Sequence, residues 1–165
     1  MNLLLFIGAL TPCDFPIQTL QLKSEKEHFI EFCLRNIEVD SIPTSVKIAQ
    51  AILESTWGKS KLAKSLNFHG IKCFTNCTNV VHLSDDRANE KFRVFSSPRE
   101  SFEMNNRLLK KHYVKGDYRD WCNSLTWYAT SKKYSERLIE IIEQNKLYKY
   151  DQVSCKNPWP RLVLC

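Results

Sequence analysis

A chain of 165 residues, 43% hydrophobic and 25% charged, has the length and composition of one globular domain that buries a sizeable core, which excludes a disordered chain. Its 24 basic and 18 acidic residues leave a formal charge of +6, which fits a polyanionic partner such as nucleic acid, an anionic membrane or an acidic wall polymer without choosing among them. Basic residues never run beyond two in a row, so no nucleic-acid partner is expected.

Residues 1–10 are apolar enough for the core of a signal peptide but lack a Lys or Arg ahead of it, and they are too short to form a stable membrane span. Leu10-Thr11-Pro12-Cys13 has the outline of a lipoprotein cleavage box, although proline departs from the small residue expected before the cysteine. Residues 1–22 are therefore read as a leader or an N-terminal arm, residues 23–151 as the domain, and residues 152–165 as a C-terminal tail. Seven cysteines, at 13, 33, 73, 77, 122, 155 and 165, favour an oxidising compartment, so a secreted or envelope location is expected. If Cys13 leaves with a leader or carries lipid, six remain. Cys33 lies on a helical apolar face and suits the core. Cys73 and Cys77, with His69 and His82 near, lack the second close pair of a zinc site; a disulfide or free thiols are expected there, and no metal.

In chain order, Phe29, Phe32, Cys33 and Ile37 recur at helical spacing between Lys23 and Glu38, with Ser24 as N-cap and Glu25 and Glu27 in the first turn. Asp40-Ser41-Ile42-Pro43 breaks this helix, and Thr44 or Ser45 begins a second that Gly58 ends. A short helix follows at Ser60 to Ser65. Val80 to Leu83 and Lys91 to Phe95 suit a β-hairpin across a polar turn. Ser97-Pro98 opens a helix with Phe102, Leu108 and Leu109 as apolar positions, Tyr118 to Leu125 forms another, and Ser131 to Leu147 a long one through Tyr134, Leu138, Ile141 and Ile142.

The second helix is apolar around most of its circumference: Val46, Ala49, Leu53 and Trp57 make one stripe, and Ile48 and Ile52 extend it. Glu54 falls beside that stripe, one turn beyond Gln50. Partial burial raises a carboxyl pKa, and a glutamate protonated near neutrality can protonate a leaving group, as glycoside hydrolysis requires. The same pattern also fits a glutamate that reaches solvent beside Gly58 and carries no chemistry.

Ala49-Gln50-Ala51-Ile52-Leu53-Glu54-Ser55-Thr56-Trp57-Gly58, after Ile42-Pro43-Thr44-Ser45-Val46, resembles the AQAILESGWG signature of the glucosaminidase domain of glycoside hydrolase family 73, which includes the Bax-like proteins. Asn67-Phe68-His69-Gly70-Ile71-Lys72 resembles that family's N-x-F-G-I-K segment, and Phe92-Arg93-Val94-Phe95 with Ser101-Phe102 its F-R-x-Y and E-S-F elements. Trp127-Tyr128-Ala129-Thr130-Ser131-Lys132-Lys133-Tyr134 resembles G-Y-A-T-D-P-x-Y, with Trp127 in place of glycine and Ser131-Lys132 in place of D-P.

This resemblance implies an α+β, lysozyme-like fold, a mainly helical body with a small β-hairpin lobe, acting as a monomer on peptidoglycan glycan strands. It implies hydrolysis of β-1,4 bonds on the reducing side of N-acetylglucosamine, with Glu54 as general acid. A muramidase or lytic transglycosylase of similar fold, or a non-catalytic glycan-binding module, is the alternative. A second group is expected from the hairpin, Asp86 ahead of Asp85 and Glu90, and Tyr128 matches the tyrosine of the Y-A-T motif, where a phenol supports the reacting sugar. Gln50, His69, Phe74, Asp85 and Phe95 are candidate cleft residues, and Tyr134 is read as packing.

Overall fold

Ser24 starts the first helix as the sequence predicts: its hydroxyl accepts the Glu27 N–H, and the Glu27 carboxylate accepts the Ser24 N–H at 2.7 Å. The computed structural model describes residues 23–75, 77–84, 89–111, 114–128 and 133–155. Five α-helices and one hairpin make up its regular structure: α1 Glu25–Asn36, α2 Thr44–Ser55, β1 Val80–Leu83, β2 Glu90–Arg93, α3 Pro98–Leu109, α4 Tyr118–Ser124 and α5 Tyr134–Gln144. Short 3-10 helices span Ala63–Ser65, Leu125–Trp127 and Leu147–Cys155. A mainly helical body with a two-stranded lobe is the α+β architecture expected. Among the described residues no helix is long and apolar enough to cross a membrane.

Helix α2 is the axis of the body, with ten of its twelve residues buried. Ile48, Ala49, Ala51 and Ile52 meet Cys33 of α1, Leu109 of α3, Trp121 of α4 and Leu138 and Ile142 of α5 in one apolar core. Its N-terminus has no cap of its own, because Pro43 stands at the N-cap position. Asp151, from the last 3-10 helix, supplies the cap: its carboxylate accepts the Ser45 N–H and the Ser45 hydroxyl, both at 2.7 Å. Burial outweighs these bonds and pushes the Asp151 carboxyl above its ordinary pKa. This last 3-10 helix runs from Leu147 to Cys155.

The break before α2 is also built on a carboxylate. Asp40 accepts the Ile42 N–H at 2.9 Å and pairs with the enclosed Lys47 ammonium at 2.7 Å, while Asn106 donates to it at 2.8 Å. Burial pulls the Asp40 pKa upward, but the Lys47, Asn106 and Ile42 hydrogen bonds prevail and hold it down at about 2.

Strands β1 and β2 pair antiparallel, with Val80 opposite Arg93 and Leu83 opposite Glu90. The second strand is shorter than expected, since the Phe95 N–H leaves the ladder for the Ser65 carbonyl at 3.1 Å. A Lys72–Phe92 bridge ties the preceding loop to β2, and a disulfide links Cys73 to Cys77. Cys33 and Cys122 are buried free thiols; burial raises both pKa values, Cys122 to about 12. The leader or arm at 1–22 and the end of the tail, 156–165, lie outside the described residues.

Asp151→Ala strands the Ser45 N–H at a buried helix end and should destabilise the domain by about 1–2 kcal/mol in denaturant unfolding. The lowered Asp40 pKa makes its contribution, about 2 kcal/mol, complete above the ordinary carboxyl range and lost as pH falls from about 4 to about 2. Acid titration of stability should therefore be shallower in Asp40→Asn.

Candidate active site

Glu54 occupies the last turn of α2, and the chain reverses directly after it. Thr56, Trp57 and Gly58 have φ values of 50°, 57° and 75°, so the helix ends at Ser55 and not at Gly58 as the sequence predicts. Two non-glycine residues in the left-handed region are strained. The Ser55 hydroxyl offsets this by accepting the Gly58 N–H at 2.8 Å and donating to the Ala51 carbonyl, and the Trp57 ring packs edge-on to Phe29 at 6.1 Å. A Cβ on Gly58 would stand 2.7 Å from the Phe29 ring, so the turn also excludes a side chain there. Trp57 thus leaves the helical stripe and packs against α1.

The loop after this turn is folded onto the glutamate. The side chain of Asn67, fully enclosed, accepts the Ile71 N–H at 2.9 Å and donates to the Ile71 and Arg93 carbonyls at 3.0 and 2.9 Å. This clamp joins the loop to β2 and brings Gly70, at φ 59°, against Glu54: a Cβ there would lie 3.3 Å from Glu54 Oε2. The other carboxylate oxygen, Oε1, accepts the Tyr134 hydroxyl at 2.9 Å. Glu54 itself is half-buried. Tyr134, read from sequence as packing, is therefore a direct partner of the glutamate.

Tyr128 stacks on Tyr134 with ring centres 5.6 Å apart, and its hydroxyl lies 3.0 Å from both the His69 carbonyl and Asn105 Oδ1. Burial, then the negative charge of Glu54, raises both phenol pKa values, so both rings stay neutral. The structure brings Glu54, Tyr128 and the His69-Gly70 backbone together.

The other candidates are distributed differently. Gln50, His69 and Phe95 are 0%, 1% and 5% exposed, so their side chains underlie the site and do not line an open cleft. His69 packs edge-on against Phe102 and faces the Ser101 hydroxyl at 3.3 Å; burial drives its pKa down to about 3, leaving the ring neutral. Phe74, 87% exposed, projects from the loop closed by the Cys73–Cys77 disulfide. Asp85 and Asp86 lie outside the described residues. Glu90 pairs with Lys72 at 3.0 Å. Asn105, which no motif flagged, sits on the buried face of α3 between Phe102 and Leu109. An asparagine in phase with two core residues was the available signal.

Comparison with known proteins agrees with this geometry. The family model described as mannosyl-glycoprotein endo-beta-N-acetylglucosaminidase, the glucosaminidase family, matches residues 34–147. A probable N-acetylmuramidase of Lactococcus lactis subsp. cremoris is 34% identical over 140 residues, 71% of this chain and 32% of that protein. The exo-glucosaminidase LytG of Bacillus subtilis is 33% identical over 131 residues, 67% of this chain and 46% of that protein. The chain thus spans less than half the length of these two relatives. The crystal structure of the catalytic domain of the autolysin Auto from Listeria monocytogenes superposes with a TM-score of 0.61 at 27% identity, covering 79% of this chain and 89% of that one. A peptidoglycan hydrolase from Sphingomonas sp. A1 gives 0.57 at 26% identity, over 81% and 94%. With its lysozyme-like fold and its glutamate at the end of the central helix, the chain belongs to the glucosaminidase family, glycoside hydrolase family 73.

Proposed function

We propose that this glycoside hydrolase cleaves the β-1,4 bonds of peptidoglycan on the reducing side of N-acetylglucosamine, with Glu54 as the general acid. The observation that carries the reading is Glu54 itself. It is half-buried at the end of a largely enclosed helix, with the neutral Tyr134 phenol donating to Oε1 and the side-chain-free Gly70 close to Oε2. A glycosidic oxygen needs a proton as its bond to the anomeric carbon breaks, and a half-buried carboxyl group beside two neutral phenols is suited to hold that proton. The relatives' names, an autolysin and a peptidoglycan hydrolase among them, support bacterial wall glycan as the substrate.

The oxocarbenium-like state also needs a negative or nucleophilic partner. In this proposal it comes from the hairpin, Asp86 ahead of Asp85 and Glu90, the last of these already paired with Lys72. Tyr128 completes the floor as a neutral phenol, and Phe74 offers an exposed aromatic face to a sugar ring. The Cys73–Cys77 disulfide supports a secreted or envelope location, where such bonds persist. A second reading, cleavage after N-acetylmuramic acid, is favoured by the name of the Lactococcus relative.

Glu54→Gln should lower glycan release from purified sacculi by about a hundred-fold or more while leaving thermal unfolding nearly unchanged; retention of most activity overturns the assignment. Mass spectrometry of the released fragments should find reducing N-acetylglucosamine ends. Reducing muramic ends would establish the second reading, and anhydro-muramic ends a transglycosylase.

A further inference from the structure

Gln50 is fully enclosed, yet both ends of its amide are engaged. Asn105 Nδ2 donates to Gln50 Oε1 at 3.0 Å, and Gln50 Nε2 donates to the Tyr134 hydroxyl oxygen at 3.3 Å. The Tyr134 hydroxyl then donates to Glu54 Oε1 at 2.9 Å, and at the far end the Tyr128 hydroxyl faces Asn105 Oδ1 at 3.0 Å. From Asn105 through Gln50 and Tyr134 to Glu54 every link points the same way, while the single Tyr128 hydrogen is divided between Asn105 Oδ1 and the His69 carbonyl, both at 3.0 Å. A phenol has one hydrogen. With Gln50 donating to its oxygen, the Tyr134 hydrogen is directed to Oε1, and that carboxylate oxygen is kept as an acceptor.

We infer that Gln50 and Asn105 are positioning residues that act through Tyr134, fixing its hydroxyl as a donor to Oε1 so that Oε2, beside Gly70, is the oxygen that carries and delivers the proton. This rests on the general-acid role proposed for Glu54. Neither amide touches the substrate, because Gln50 and Asn105 are both enclosed in the body. Gly70 fits the same scheme: a Cβ there would come within 3.3 Å of Oε2 and crowd that oxygen. Among the described residues, the groups around Glu54 include Tyr134 from α5, Tyr128 from the turn after α4, and the His69-Gly70 loop. The two phenols are neutral, as is the His69 ring. On the lobe, Lys72 and Glu90 are paired with each other.

A donor to a carboxylate favours its charged form, so weakening the chain raises the Glu54 pKa. The test replaces Gln50 by Met, in the native chain and in Tyr134→Phe, and follows kcat and KM on soluble peptidoglycan fragments across pH. Gln50→Met should move the alkaline limb of kcat upward by about half a pH unit and change KM less than about two-fold, with Tyr134→Phe shifting it by about one unit. In the Tyr134→Phe background, Gln50→Met should add no shift.

Carboxyl-carbon NMR titration of Glu54 in each folded variant should report the same displacements without turnover. Equal shifts in both backgrounds, no shift in either, or a change confined to KM overturns the inference. Should Gln50→Met not fold, Asn105→Ala, one link further back, takes the same two-background comparison. The outcome is separable from that of the Glu54→Gln assay: if turnover survives Glu54→Gln, the general-acid role falls, whereas the titration still reports whether the chain acts on the carboxyl group.

Discussion

A helix enclosed on nearly every side leaves few polar atoms to water, so a polar side chain it buries must find its partner within the protein. Helix α2 carries Ser45, Lys47 and Gln50 in that condition, while the buried Ser55 hydroxyl bonds back to the Ala51 carbonyl of its own helix and Glu54 stands at the partly open end. Ser45 is answered by Asp151, Lys47 by Asp40 and the Glu38 carbonyl, Gln50 by Asn105 and Tyr134, and Glu54 by Tyr134. These partners come from the α1–α2 loop, α3, α5 and the final 3-10 helix. The arrangement that encloses the helix therefore also gathers the groups of the site, and folding and site assembly rest on the same contacts.

The parts of the fold written locally were legible from sequence. Ser24 with Glu27, and Ser97 ahead of Pro98, marked helix starts that the structure keeps, because a cap depends on residues within one turn. Helical periodicity likewise identified α2 as central. The end of that helix was not legible, since Thr56 and Trp57 are ordinary residues that enter the left-handed region under tertiary packing against Phe29 and the Ser55 bonds. Gln50 was placed correctly, one turn from Glu54. Its exposure, however, is decided by Asn105 and Tyr134, residues 55 and 84 positions away. Tyr134 packs in the core as read, but its bond to Glu54 was not legible for the same reason: spacing shows that a ring faces the core and is silent on what its hydroxyl meets.

The site's electrostatics follow from this enclosure. Two tyrosines lie beside the glutamate and the His69 ring is enclosed behind them against Phe102, and burial keeps all three neutral. Its enclosed neighbours are therefore dipoles, whose directions are fixed by hydrogen bonds reaching back into the body. Dipoles held in place need no reorganisation when charge moves during reaction, so under the general-acid role proposed for Glu54 the enclosed body would share in the chemistry.

The cysteines bear on the order in which this domain can mature. Cys73 and Cys77 close a loop only five residues long, a pairing that local chain motion reaches early. Cys33 and Cys122 stay reduced for a different reason: the closed body keeps them protonated and out of reach of an oxidant. In an oxidising compartment these two thiols are protected only once the helices have packed around them. There, a helical body that closes ahead of stray thiol oxidation would favour a correctly bonded chain.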